Sequence, residues 1–167
     1  MKASTYSDVR NIRETGIHSM RTDPYKLNEF HDELMSEIIQ IAIRHTTAQF
    51  GAPPSPFTFF VMGSAGRFEQ SIWSDQDHGI IFAETAKPVQ DYFLRLGEEI
   101  TAGLFLAGYP YCDGGVMAKN PLWCKSFSDW QNSSSAGSMR RHGIRSVICS
   151  FLLMPGRFSA VCIKSAI

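Results

Sequence analysis

Asp75 and Asp77, one residue apart and downstream of the turn Gly63-Ser64-Ala65-Gly66-Arg67, are the residues of this chain best suited to chemistry. An apolar run, Phe57 to Met62, leads into the turn, and the carboxylates enter a second run, Gly79 to Phe82. If residues 75–82 form a strand, side chains alternate between its faces and the two carboxylates point the same way. Two carboxylates on one side, beside a turn with free backbone N–H groups, suit a divalent metal ion and phosphate. Mg²⁺ prefers carboxylate plus phosphate oxygens to an all-protein cage, and such a pair can hold one or two ions. Gly63 lets the backbone approach a phosphate closely, Ser64 adds a hydroxyl donor, and Arg67 is placed to neutralise phosphate charge. Phosphoryl and nucleotidyl transfer need such positioning and electrostatic support more than covalent help. An isolated Asp-x-Asp is common in exposed loops. The weight falls on the joint pattern of strand, Gly-Ser, short helix, Asp-x-Asp and strand.

The elements that must position these residues are legible on both sides. Asp23-Pro24 is a helix start, and Leu27, Phe30, Leu34, Ile38 and Ile41 then recur at steps of three or four along one face. Gly51 and the prolines at 53, 54 and 56 stop this helix. Phe57 to Met62 reads as a buried strand, Gly63 to Gln70 as a turn leading into a short helix, and Asp75 to Phe82 as a second strand antiparallel to the first. Pro88 opens a second long helix with Val89, Tyr92, Phe93, Leu96, Ile100, Leu104 and Phe105 on one face, ended by Gly108. Residues 109–117 suit a short strand and a turn around Asp113-Gly114-Gly115. The spacing of Trp123, Phe127 and Trp130 predicts a short helix in which these rings pack into the core. Residues 1–22 lack clean periodicity and read as a loose or partly helical lead-in. Residues 23–131 form the main unit and 132–167 an atypical basic tail, in which Val147 to Met154 is apolar enough for a strand.

Length and composition bound the answer. At 167 residues, 44% of them hydrophobic and 19% charged, the chain supports one domain with a real core. Sixteen basic and sixteen acidic residues cancel, which gives no strong signal for nucleic-acid binding. No window approaches the roughly 18 consecutive apolar residues of a membrane span, and the first residues carry no signal-peptide core, so a cytoplasmic location is expected. The four cysteines are scattered, without a C-x-x-C pair, and read as reduced, packed thiols. His78 is expected to face solvent or the side of its strand opposite the aspartates, and His18, His31, His45 and His142 show no ligand spacing. Lys119 and Lys125 read as solvated, and the arginines at 140, 141 and 145 as part of an unstructured basic tail. Every Asp and Glu lies at or before Asp129, whereas residues 130–167 carry Arg140, Arg141, Arg145, Arg157 and Lys164.

The text MGSAGRFEQSIWSDQDHGIIF, with GYPYCDGGVMAKNPLW and the following Trp130, resembles a nucleotidyltransferase domain family. That family is related to the N-terminal domain of bacterial PII uridylyltransferase, in the DNA polymerase β-type superfamily. The resemblance spans Lys26 to Trp130. It implies an α+β fold with a small mixed or antiparallel sheet flanked by helices. It further implies Gly63 and Ser64 as the phosphate-contacting turn, Asp75 and Asp77 as catalytic metal ligands, and Arg67 as a phosphate contact. Glu69 would brace the loop through backbone or Arg67. The implied cofactor is Mg²⁺, the nucleotide UTP or ATP, and the acceptor a hydroxyl of a protein or small molecule in signal transduction. One departure stands out. The superfamily usually supplies a third carboxylate from a later strand, and here only Asp113 and Asp129 are near enough in sequence to substitute. The tail from about Ser133 reads as replacing the family's usual continuation, as truncation or a frame shift would produce. The alternative to a transferase is thus a catalytically inactive, nucleotide-binding regulatory module.

Overall fold

A computed structural model describes residues 3–133 in full and the backbone of residues 134, 147–154 and 157–164. Three helices cover one face of a mixed sheet. Helix α1 (Tyr6–Met20) is opened by a reciprocal capping box, in which Thr5 Oγ1 accepts from the Asp8 N–H and the Asp8 carboxylate accepts from the Thr5 N–H. Helix α2 (Pro24–Phe50) is capped by the Asp23 side chain and closed at Gly51, as the sequence predicts. The short helix α3 (Gly63–Gly66) and the long helix α4 (Lys87–Leu106) follow, and α5 is Phe127–Ser134.

The lead-in is corrected by the structure: residues 6–20 are one helix, and Val9 and Ile17 are buried in the common core. Two buried positions eight residues apart are too sparse to show an amphipathic stripe, and Tyr6, Ile12 and Met20 complete the face only partly buried.

Strands β1 (Phe57–Val61) and β2 (His78–Phe82) pair antiparallel, with Val61 opposite His78 and Phe57 opposite Phe82. Strand β3 (Cys124–Ser126) joins β2 in parallel, so these three strands make a mixed sheet. On the other side of β1 the backbone of β4 (Val147–Met154) pairs antiparallel, and β5 (Arg157–Lys164) pairs with β4. The order is β3-β2-β1-β4-β5. The α+β class and the antiparallel first pair are as expected. Two boundaries differ: β2 begins at His78, not Asp75, and the Trp123–Trp130 stretch is a turn, a three-residue strand and then a helix.

Strand alternation divides the core. Phe57, Phe59, Ile80 and Phe82 face the helices, where Phe82 stacks on Phe93 of α4 with centroids 4.8 Å apart. Phe60 and Met62 face the other way and pack with Trp130 of α5. Trp130 is therefore core, as expected, whereas Phe127 is 57% exposed and Phe105, expected on the apolar face of α4, is 48% exposed. No described helix is long and apolar enough to cross a membrane. His142 and the arginines at 140, 141 and 145 lie outside the described residues.

Candidate active site

The chain reaches the site twice along β1 and β2 and once through the segment after α4. At the end of β1, Met62 N–H donates to the Asp77 carbonyl at 2.8 Å, which fastens the carboxylate segment to the entrance of the turn. Gly63 follows with φ +56°, a left-handed conformation suited to glycine. A Cβ placed there would lie 2.0 Å from Asp77 Oδ2. The turn and the aspartate are thus in direct apposition, and only a residue without a side chain fits between them. Asp77 therefore faces the turn, and Asp75 lies beside it. The N–H groups of Gly63, Ser64 and Ala65 open α3 and have no intrahelical acceptor.

Although β2 starts later than expected, residues 75–78 keep an extended alternation: Asp75 and Asp77 are half-buried, while Gln76 and His78 between and after them are buried. Gln76 anchors the opposite side. Its N–H donates to the Pro110 carbonyl and its side-chain amide to the Tyr109 carbonyl. His78 is corrected from an optional solvent position to 1% exposure. Its Nδ1 accepts from the Ala118 N–H, so its proton sits on Nε2 and is donated to Gln76 Oε1 at 2.9 Å. Burial, with the positive charge of Lys119 nearby, pushes its pKa down to about 3, and the ring is neutral. It braces the motif from behind, both ring nitrogens engaged, and does not join the carboxylate cluster.

The same backbone bonds that hold residues 76–78 also draw in residues 109–117. Gln76 bridges to Tyr111 in parallel and the His78 N–H donates to the Val116 carbonyl at 3.0 Å. The expected short strand is this single bridge, followed by a turn closed by Gly115 N–H on the Cys112 carbonyl. The result was not legible in the sequence: Cys112 lies against the carboxylates. One ligand atom from each of Asp75, Asp77 and Cys112 falls within 4.8 Å of the others. The Asp75 carboxyl is raised above its ordinary value by desolvation and then by the Asp77 charge, with a smaller contribution from Asp113. The Cys112 thiol is also pushed up, by burial and by its hydrogen bond to Asp77. Burial leads both shifts, and the neighbouring negative charge adds to them.

The candidate third carboxylates separate. Asp113 is close enough to act on Asp75 electrostatically but does not join the ligand cluster. Asp129 lies elsewhere: its carboxylate accepts from Ser126 Oγ at 2.7 Å and borders a small pocket with Phe82, Thr85, Lys87 and Gln90. Strand β4 runs beside β1 with Val147 opposite Val61, at the end of the sheet nearest the site, and its sequence holds no acidic residue. Arg67 forms an ion pair with Glu69 at 2.7 Å, the bracing role expected of Glu69. Lys119 lies over the Tyr111 ring and Lys125 reaches Ser133 Oγ at 3.1 Å.

An α+β sheet that presents a glycine turn and two apposed aspartates defines a candidate metal–phosphate protein of the nucleotidyltransferase kind. Residues 10–142 match the family described as putative nucleotidyltransferase DUF294, and the chain belongs to that family. The matched span begins within α1 and extends past Trp130, so it is wider at both ends than the sequence motifs suggested. No curated protein matches the chain.

Proposed function

We propose that this protein binds a nucleoside triphosphate with a divalent cation at Asp75 and Asp77 and transfers its nucleotidyl group to a hydroxyl of a protein or small molecule. The observation that carries the reading is the apposition of Gly63 and Asp77, which brings the glycine turn and a carboxylate together. The donor set fits Mg²⁺: two half-buried carboxylates, crowded by like charge, beside the glycine turn. When bound, the cation would neutralise the phosphates and polarise the α-phosphoryl group. Asp75 and Asp77 hold it. The N–H groups of residues 63–65 and the Ser64 hydroxyl receive phosphate oxygens, and Arg67 can leave Glu69 to do the same. In the transfer a new oxygen–phosphorus bond forms at the α-phosphorus as the bond to pyrophosphate breaks, and the acceptor proton passes to a base or solvent. UTP and ATP are the nucleotides the family resemblance implies.

A second reading, nucleotide binding without turnover, is favoured by one observation: neither Asp113, Asp129 nor the sequence of β4 supplies a third carboxylate. A two-part experiment separates the readings. Mg²⁺-UTP or Mg²⁺-ATP should raise the melting temperature, and Asp75→Asn with Asp77→Asn should abolish the rise. A rise that persists in the double variant removes the site. Incubation with labelled nucleotide and acceptor then decides between transfer and binding alone.

A further inference from the structure

Cys112 faces the two aspartates from the segment that follows α4, with one ligand atom of each of the three side chains within 4.8 Å of the others. The segment that carries it is fixed at both ends, by the Gln76 N–H on the Pro110 carbonyl at 3.1 Å and the His78 N–H on the Val116 carbonyl at 3.0 Å. The sulfur therefore occupies a defined third corner of the cluster. No carboxylate among the described residues competes for that corner.

We propose that Cys112 Sγ is a third ligand to the cation held by Asp75 and Asp77, and that it shifts the site's preference from Mg²⁺ towards thiophilic divalent ions of the Zn²⁺ and Cd²⁺ kind. The proposal rests on the assignment of Asp75 and Asp77 as cation ligands. An oxygen-only site suits hard ions such as Mg²⁺, whereas a sulfur donor favours softer ones, and Zn²⁺ accepts sulfur and carboxylate oxygen together at similar reach. Ligation exchanges the thiol proton for the cation, and that proton leaves to solvent. The cysteine thus takes the corner that a third carboxylate would fill, with a different choice of metal as the consequence.

The test is titration of the full chain with Cd²⁺, reading the ultraviolet sulfur-to-cadmium charge-transfer band, with melting-temperature shifts for Cd²⁺ and Mg²⁺ measured in parallel. The expected result is a saturable band in the unmodified protein that is lost in Cys112→Ser and in Cys112→Ala. The band should also weaken about tenfold or more in Asp75→Asn, the scale on which metal sites lose affinity when a partner is removed. Replacement of the core cysteine, Cys124→Ala, should leave the band in place. The ratio of Cd²⁺ to Mg²⁺ affinity should fall about tenfold or more in Cys112→Ser. A band that survives Cys112→Ser, or no band in the unmodified protein, overturns the proposal, and a Mg²⁺-nucleotide response that persists in either case leaves the nucleotide reading intact. Conversely, a band that depends on Cys112 and Asp75 without any nucleotide response supports the ligand and sinks the nucleotide reading.

Discussion

At the scale of single residues, Gly63 is the position on which the site's geometry turns. Its positive φ alone disfavours any side chain, and the space a Cβ would need is held by Asp77 Oδ2. Gly63→Ala should therefore destabilise the fold by about 1–3 kcal/mol, the cost of a strained backbone position, and displace the Asp77 carboxylate. Urea denaturation measures the first effect and loss of the Mg²⁺-nucleotide melting shift the second. An alanine variant with unaltered stability and nucleotide response would contradict the apposition. Asp75 and Asp77 were identifiable from residue type and spacing. Cys112 was not, because nothing in its sequence neighbourhood tells which side of the 109–117 segment the thiol takes. Only its Asp113 neighbour and the GYPYCDGG text marked the segment as worth attention.

At the scale of elements, α4 must approach the segment that follows it very closely. A Cβ on Gly97 would meet the Ala118 carbonyl oxygen at 2.3 Å, and that oxygen belongs to backbone. On helix propensity alone Gly97→Ala would gain about 1 kcal/mol. Here the gain is opposed by displacement of residue 118, whose N–H also caps His78 Nδ1. The expected outcome is a net loss of about 1–3 kcal/mol, the usual cost of overpacking, read as a lowered melting temperature. A stabilised variant would show that α4 and residue 118 can separate freely. The element boundaries missed in the sequence share this cause. Residues 75–77 have strand-like alternation but no continuous partner, since their hydrogen bonds go singly to Met62, Pro110 and Val116 with His78. The three residues of β3 are a strand only because β2 lies alongside.

At the scale of the whole molecule, a buried polar network ties α1, α2 and the aspartate-bearing segment together. Arg13 of α1 donates to the Ile72 carbonyl at 2.8 Å and lies over the Tyr109 ring. Asn28 of α2 holds the Gln70 N–H, and His31 Nδ1 meets the Tyr109 hydroxyl at 2.9 Å. Burial, then the Arg13 charge, lowers the His31 pKa from 6.5 to about 4. The unfolded chain therefore takes up this proton at a higher pH than the native one. His31's contribution is fully present above about pH 6.5 and is lost as pH falls towards about 4. The slope from one such group reaches up to about 1.4 kcal/mol per pH unit. His31→Gln should flatten the pH dependence of unfolding free energy in that window, whatever it costs at neutral pH. An unchanged slope would show that His31 titrates alike in the native and unfolded chains.

The sequence by itself determined the local chemistry and most local structure. The Asp23 cap and Gly51 stop bounded α2, alternation paired β1 with β2, and Gly63-Ser64 with Asp75-x-Asp77 pointed to the family and its candidate ligands. These signals act between near neighbours, through backbone preference and side-chain period. Only the tertiary structure decided that α1 is part of the core, that His78 is a buried brace and that Asp129 stands apart from the cluster. It also decided that Cys112 lies beside Asp75 and Asp77. The physical reason is that those outcomes depend on which distant backbone groups must satisfy one another: the hydrogen bonds of residues 76 and 78 are completed by residues 110 and 116, and that pairing carries the sulfur to the two carboxylates.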